Sequence, residues 1–274
     1  MTIGIFDSGV GGLSVWREID RLMPAWDVLY VADQAHVPYG PRPLAQVRRF
    51  SEGVARFLID QGSAVVVVAC NTASAAALQH LRHTFPHTPF VGMEPAVKPA
   101  VENTHTGRVG VIATQATFQG ELFAALLERF AAGVTVLTQV CPGLVEAVEA
   151  GALDTPETER LLRSCLSPLI EGGIDQLVLG CTHYPFLQPL IARIVGPGVE
   201  IIDPAPAVAR QTGRVLEQMG LRPIQGTGCR TFYTTGSTPA FAAMVERLVG
   251  GSGSVKNLAW DNANCELGIA KNAP

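Results

Sequence analysis

The chain has 274 residues, of which 47% are hydrophobic and 16% are charged, and its formal net charge is −4. This composition is typical of a globular protein with a large core, and a net negative chain lacks the basic stripe of a nucleic-acid surface. No apolar run approaches the length of a membrane span, and residues 1–12 lack the layout of a secretory signal. We therefore expect a cytoplasmic protein whose six cysteines are reduced thiols.

Short apolar strands and amphipathic helices alternate from the N-terminus onwards. The first part contains the strand "TIGIF", a helix in "VGGLSVWREIDRLM", the strand "DVLYVAD", a helix over 44–61, the strand "SAVVVVA", a helix over 73–84 and the strand "TPFVGM". The second part repeats the pattern with the strands "RVGVIAT", "VTVLTQV", "QLVLG" and "VEIID". The strand "GCRTFYTT", a helix over 239–249 and the strand "VKNLAW" complete it. This alternation predicts βαβ units, and hence mainly parallel sheets flanked by helices.

The two parts share a pattern of glycine and cysteine. In "GSAVVVVACNTAS" and "GIDQLVLGCTHYP", Gly62 and Gly173 stand equally far before Cys70 and Cys181, and each cysteine ends an apolar strand. The segments "IGIFDS" and "VGVIAT" open the two parts in the same way. Ligands of open α/β sheets bind beyond the carboxyl ends of the strands. Two facing halves would therefore place the two cysteines on opposite walls of one cleft.

Several roles are open to a facing pair of cysteines, including simple packing in the core. A redox disulfide usually has C-x-x-C spacing, and a metal site needs more ligands than Cys181 and His183 supply. Proton transfer at carbon needs one base on each side of the substrate, and we favour this interpretation. A thiol, with an ordinary pKa of about 8.5, needs assistance to act as a base. His183 is placed to assist Cys181, and Asp7 to assist Cys70, although a helix cap or a structural histidine are the simpler alternatives.

Cofactor motifs are weak. "DSGVGG" lacks the third glycine of a dinucleotide loop, and Asp7 would repel a pyrophosphate, although Asp33 imitates the ribose-binding acid. The helix after this loop is better suited to a small carboxylate. The three lysines, Lys98, Lys256 and Lys271, are not in a setting typical of a pyridoxal phosphate Schiff base. We expect no cofactor and no metal.

The motifs "FDSGVGGLSV", "VPYGP", "ACNTAS" and "GCTHYP", in this order, resemble those of the glutamate racemases of the aspartate/glutamate racemase superfamily. The resemblance spans residues 3–260. It implies cofactor-independent interconversion of L- and D-glutamate, which supplies D-glutamate for peptidoglycan. It also implies that Cys70 takes the proton from D-glutamate, that Cys181 takes it from L-glutamate, and that Asp7 and His183 assist them.

The resemblance implies a larger set of substrate-binding residues, most of them polar: Asp7, Ser8, Pro38, Tyr39, Gly40, Asn71, Thr72, Thr114, Thr117, Glu149 and Thr182. For Glu149, within "VEAVEAG", a solvated helix face is the alternative. The expected fold is two pseudo-symmetric α/β domains, residues 1–93 with 207–260 and residues 94–206, with the active site in the cleft and a loose tail over 261–274. We expect glutamate as substrate, no nucleic-acid or membrane partner, and a homodimer. An aspartate racemase, a decarboxylase, which would need only one cysteine, and a non-catalytic amino-acid-binding protein are the alternatives.

Overall fold

The computed structural model describes residues 1–223, 226–251, 253–261 and 265–270. The strands, in chain order, are β1 (Thr2–Asp7), β2 (Asp27–Ala32), β3 (Ser63–Val68), β4 (Phe90–Gly92), β5 (Arg108–Ala113), β6 (Thr135–Val140), β7 (Gln176–Gly180), β8 (Glu200–Ile202), β9 (Arg230–Thr234), β10 (Ser254–Asp261) and β11 (Glu266–Ile269). The α-helices are α1 (Leu13–Leu22), α2 (Leu44–Asp60), α3 (Asn71–Thr84), α4 (Val97–Asn103), α5 (Gln115–Gln119), α6 (Glu121–Phe130), α7 (Leu144–Glu149), α8 (Pro156–Glu171), α9 (Gln188–Val195), α10 (Ala205–Gln218) and α11 (Thr238–Val249). Within these ranges, no helix combines the length and the hydropathy needed to cross a bilayer.

The strands form two sheets with related topology. A seven-stranded sheet has the order β11-β10-β9-β2-β1-β3-β4, and a four-stranded sheet has the order β6-β5-β7-β8. The pairings are parallel, apart from the antiparallel pair β10 and β11. The order β2-β1-β3-β4 matches β6-β5-β7-β8 strand for strand. This confirms the predicted pair of pseudo-symmetric α/β halves with mainly parallel sheets.

The central strands are buried on both faces, as expected of parallel sheets covered by helices. Every residue of β7 is buried, and β3, with the sequence SAVVVV, is buried along most of its length. Valine suits such a strand because its branched side chain packs well on a pleated surface. One hydrophobic cluster contains Ile5 of the first sheet together with Ile112 and Leu179 of the second. The two halves therefore share part of their core, which holds the ends of their strands close together.

The C-terminal region differs from the sequence prediction of a loose tail after residue 260. Strand β11 pairs with β10, with Leu258 opposite Ile269 and Asp261 opposite Glu266. The prediction of a tail is therefore wrong for residues 266–269. Four residues with mixed exposure are too short to show a periodic pattern in the sequence. The rest of the predicted tail, residues 262–264 and 271–274, lies outside the described residues.

The cysteines also differ from expectation. Cys141 and Cys165 form a disulfide, with their Cα atoms 5.6 Å apart, so the prediction of six reduced thiols is wrong for this pair. Cys141 follows β6 and Cys165 lies on α8, and these two elements pack against each other. The other four cysteines, two of which are Cys70 and Cys181, are free.

Candidate active site

The carboxyl ends of β1, β3 and β7 meet at a small cavity between the two sheets. Its lining includes eleven of the residues singled out in the sequence, together with one valine that was not: Ser8, Pro38, Tyr39, Gly40, Cys70, Asn71, Thr72, Thr114, Cys181, Thr182, His183 and Val145. Asp7, Thr117 and Glu149 stand behind this wall. The parallel arrangement explains the convergence, because strands that run in the same direction end at the same edge of a sheet.

Cys70 is both the last residue before α3 and part of the cavity wall. Its Sγ accepts a hydrogen bond from the backbone N–H of Ala73 at 3.4 Å, so the thiol caps the helix. Burial and the nearby charge of Asp7 raise the pKa of Cys70 well above its usual range, and the N–H groups of Ala73 and Ser8 oppose this only in part. Cys70 is therefore held as a thiol, the form that donates a proton.

Asp7 ends β1 directly behind the cavity and is completely buried. Its two oxygens accept hydrogen bonds from Ser8 Oγ at 2.9 Å and from Thr182 Oγ1 at 2.8 Å. Burial raises the pKa of Asp7, although the charge of His183 and the two hydroxyl groups partly oppose this. A carboxyl group with a raised pKa can accept and release a proton nearer to neutral pH than an exposed one.

Cys181, His183 and Glu149 form a hydrogen-bonded chain on the other side of the cavity. The imidazole has Nδ1 at 3.7 Å from Cys181 Sγ and Nε2 at 2.7 Å from Glu149 Oε1. Burial by itself would lower the pKa of His183, but its bonds and charge interactions with Cys181 and Glu149 raise it well above 6.5. As an imidazolium, His183 donates to both partners. The three side chains form a chain of contacts and do not surround a common point. Among the described residues, no three His, Cys, Asp or Glu side chains are grouped to hold a metal ion.

Glu149 is placed differently from either sequence interpretation. It neither lines the cavity, as a substrate contact would, nor faces solvent on α7. Its carboxylate lies behind His183 and also accepts from the backbone N–H of Val10 at 2.7 Å and from Gln34 Nε2 at 3.1 Å. Burial would raise the pKa of Glu149, but the bonds from His183, Val10 and Gln34 outweigh it and lower the pKa. Glu149 thus remains a carboxylate that orients His183.

The glycines of "DSGVGG" allow close packing around these groups. A Cβ atom at position 9 would overlap the carboxylate of Glu149, and one at position 11 would overlap the imidazole of His183. The loop therefore brings the main chain of the first half against the side chains of the second. This close contact explains the need for glycine at these positions, so a phosphate-binding role is not required to explain them.

One polar side chain on the cavity wall, that of Asn71, has no internal partner among the described residues. Asn71 is only 3% exposed, yet neither its Oδ1 nor its Nδ2 has a hydrogen-bond partner within the described part of the chain. Buried polar atoms are normally paired, so an unpaired amide on a cavity wall indicates a ligand. Nearby, Thr72 and Thr114 join their hydroxyl groups at 2.8 Å across the cleft. Thr117 bonds to Thr114 at 2.9 Å, which places it behind the wall as a support.

Asp33 was considered in the sequence only as an acid for a nucleotide. It follows β2, at the same edge as the other strand ends, and is completely buried behind the cavity. Its Oδ2 accepts a hydrogen bond from the hydroxyl group of Tyr39 at 2.7 Å. The rule that functional side chains collect at carboxyl strand ends applies equally to Asp33, and this signal was available in the sequence.

The chain is similar in sequence to proteins of a known family. A sequence model of the Asp/Glu/Hydantoin racemase family matches residues 3–212. A glutamate racemase of Roseiflexus sp. strain RS-1 is 50% identical over 248 residues, which cover 90% of this chain and 91% of that protein.

Solved structures show the same fold. A glutamate racemase of Bacillus anthracis superposes with a TM-score of 0.86 at 35% identity, over 93% of this chain and 96% of that chain. The Escherichia coli glutamate racemase, in complex with L-glutamate and the activator UDP-MurNAc-Ala, gives a TM-score of 0.83 at 32% identity, over 94% of this chain and 98% of that chain. This chain belongs to the Asp/Glu/hydantoin racemase family.

Proposed function

We propose that this protein interconverts L- and D-glutamate by proton transfer between two thiols and the α-carbon, without a cofactor. The observation that carries the proposal is the position of Cys70 and Cys181, which follow equivalent strands of two equivalent sheets and line one cavity. The relatives that cover most of the chain are named glutamate racemases, which supports glutamate as the substrate.

In the direction from L- to D-glutamate, Cys181 as thiolate takes the α-proton. The electron pair of the broken C–H bond stays on the α-carbon and spreads into its carboxylate. Cys70 then gives its thiol proton to the opposite face, which forms the new C–H bond and leaves a thiolate on Cys70. In the reverse direction the two cysteines exchange roles. Such positioned acid–base groups supply roughly 10²–10⁴-fold in rate.

The neighbouring groups assign different tasks to the two thiols. The imidazolium of His183 donates to Cys181, which stabilises negative charge on that sulfur. The charge of Asp7 instead acts on Cys70, and the carboxyl group of Asp7 would return a proton to the Cys70 thiolate. The ammonium group of a bound amino acid would oppose the negative charge that raises the pKa of Cys70. Binding of substrate would thereby prepare Cys70 for its turn as a base.

The polar wall would hold the two carboxylates and the ammonium group of glutamate. The unpaired amide of Asn71 offers a donor and an acceptor, and Thr72, Thr182 and Ser8 offer hydroxyl groups. The N-terminus of α3, a helix of 14 residues, adds free backbone N–H groups beside Cys70. On the opposite wall, residues 38–40 close the cavity against Thr114, because a Cβ atom at Gly40 would contact that threonine. This wall would set the distance to the second carboxylate.

The wider assignments follow from the same proposal. The strands of the larger sheet come from residues 2–92 and 230–269, and those of the smaller sheet from residues 108–202, which supports domains over 1–93 with 207–260 and over 94–206. We further propose a homodimer in the cytoplasm that supplies D-glutamate for peptidoglycan. Sedimentation or size-exclusion with light scattering tests the dimer directly.

Exchange of the α-proton into deuterated water, measured separately with L- and D-glutamate, tests the activity. We expect deuterium to appear in both enantiomers, and the optical rotation of either pure enantiomer to fall to zero. Dialysis against a chelator, or treatment with a carbonyl-trapping reagent, should leave the rate unchanged. Cys229→Ala, which removes an exposed free thiol, is the matched control for changes at Cys70 and Cys181.

The results separate this function from its alternatives. Release of CO₂ would indicate a decarboxylase, and comparable kcat/KM values for aspartate and glutamate would indicate a broader racemase. Binding of glutamate without exchange would indicate a binding protein and would contradict the proposal. We expect a strong preference for glutamate, because a misplaced second carboxylate leaves buried donors unpaired.

A further inference from the structure

A buried carboxylate outside the cavity accepts four hydrogen bonds and joins three separate parts of the chain. Asp33 Oδ2 accepts from the hydroxyl group of Tyr39 at 2.7 Å and from His36 Nδ1 at 2.8 Å. Its Oδ1 accepts from Thr235 Oγ1 at 3.0 Å and from Trp260 Nε1 at 2.7 Å. An ionised carboxylate has about four positions for donors, so the group is fully paired. Because it is completely buried, each missing donor leaves part of its charge uncompensated.

This carboxylate controls one wall of the cavity through Tyr39. The tyrosine is 1% exposed and lines the cavity, and its hydroxyl hydrogen points to Asp33 and away from the substrate space. The following turn is closed by a bond from the backbone N–H of Arg42 to the carbonyl of Tyr39 at 3.0 Å, and the Arg42 side chain bonds to the carbonyl of His36. The position of Gly40 against Thr114 therefore depends on where Asp33 holds Tyr39.

The most distant donor comes from β10, near the C-terminal end of the described chain. The indole ring of Trp260 lies against His36 and Phe50, with ring centroids 5.3 and 5.8 Å apart, and the absence of a side chain at Gly53 makes room for it. The ring is thus packed independently of its hydrogen bond. Its Nε1–H donates to Asp33 and completes the set of donors around that carboxylate.

From this geometry we infer that Asp33 and Trp260 are positioning residues for substrate binding: strand β10, through the indole N–H of Trp260 and Asp33, fixes Tyr39 and the wall over residues 38–40. This inference deepens the proposed function and rests on it for its kinetic test. Neither residue touches the cavity, so both act through Tyr39. Loss of either should weaken the binding of glutamate more than it slows the proton transfer.

Trp260→Phe removes the indole N–H and keeps an aromatic ring in the same packing. We expect KM for glutamate to rise roughly five- to tenfold, with kcat within about twofold, because one donor to a buried charge is lost. Asp33→Asn should have a larger effect of the same kind. Trp16→Phe is the matched control, because the buried Nε1 of Trp16 has no hydrogen-bond partner in the described part of the chain. A comparable rise in KM for Trp16→Phe would overturn the inference.

Tyr39→Phe tests whether the effect of Trp260 on substrate binding passes through Asp33 and Tyr39. If Trp260 acts through Asp33 and Tyr39, Trp260→Phe should raise KM little further in a Tyr39→Phe background, since coupled residues are not additive. Independent, multiplying effects would contradict the inference.

A second measurement does not need turnover. Hydrogen–deuterium exchange at residues 39–42 should be faster in Trp260→Phe than in wild type, and unchanged in Trp16→Phe. If wild type fails to racemise glutamate but this exchange pattern is found, the proposed function fails and the positioning role stands. If glutamate is turned over but the exchange at 39–42 is unchanged, the positioning role fails alone.

Discussion

The hydrogen bond between Glu149 and His183 offers the sharpest test of how the site is charged. Glu149→Gln keeps the shape of the side chain and removes the charge that faces Nε2 at 2.7 Å. A hydrogen bond to a charged group contributes roughly 1.5–3 kcal/mol, and a tenfold change in an equilibrium corresponds to about 1.4 kcal/mol. The imidazolium should therefore become roughly 10- to 150-fold less populated relative to the neutral ring. We expect kcat to fall near neutral pH, by this factor at most.

The assay is the initial rate of racemisation, followed by circular dichroism from either enantiomer across a range of pH. Because Glu149 raises the pKa of His183, its loss should move the alkaline limb of the rate profile to lower pH. Glu146→Gln is the control, since it removes the same charge from an exposed position one turn earlier on α7. Equal losses in the two variants, or an unmoved alkaline limb in Glu149→Gln, would refute the assignment of Glu149 as the partner of His183.

The same pair predicts how stability depends on pH. The pKa of His183 is raised in the folded protein, so the charged ring contributes to the free energy of unfolding. This contribution to stability is complete below the unfolded pKa of about 6.5 and is lost as pH rises through the folded pKa. The pKa of Glu149 is lowered, so its contribution is present above about 4.3 and is lost as pH falls through the folded pKa. The difference in unfolding free energy between wild type and Glu149→Gln should therefore be largest between about pH 4.3 and 6.5, which chemical denaturation can measure.

Four further substitutions test the cavity and the groups behind its wall. Cys70→Ala and Cys181→Ala should each abolish racemisation. A glutamate analogue with a leaving group beside the α-carbon should still lose that group from one enantiomer only, the D form with Cys181→Ala and the L form with Cys70→Ala. Near-normal racemisation by Cys70→Ala would contradict the two-thiol mechanism. Asn71→Leu should abolish activity and raise Tm by about 2–6 °C, because it removes two buried polar atoms that have no partner among the described residues. An unchanged or lower Tm would show that these atoms do not destabilise the fold. Gly11→Ala should lower kcat strongly by displacing the imidazole beside Cys181, whereas Gly198→Ala, which faces open space, should leave it unchanged.

Much of the fold was predictable because its signals are local. Short valine-rich segments between helices define parallel strands, and the repeat of glycine and cysteine in the two parts identified equivalent strands before any pairing was known. Cys70, Asn71 and Thr72 come shortly after one such strand, so their place at the cavity needed only the rule for strand ends.

The remaining features depend on contacts that no local pattern encodes. Glu149 lies on a helix of six residues, too short for its buried face to be assigned from periodicity, and its partners Val10 and Gln34 belong to the other half of the chain. Asp33 is recognisable as a strand-end acid, but its donors Thr235 and Trp260 are more than 200 positions away.

The unequal surroundings of the two sulfurs, a carboxyl group beside Cys70 and an imidazolium beside Cys181, have a kinetic consequence. Enantiomers have the same free energy in water, so the Haldane relation requires kcat/KM to be equal in both directions for any racemase. The asymmetry therefore cannot make the enzyme faster towards one enantiomer at low substrate concentration. It can only change kcat and KM in proportion. The direction of reaction with the lower kcat must therefore also have the lower KM, and so saturates at a lower substrate concentration.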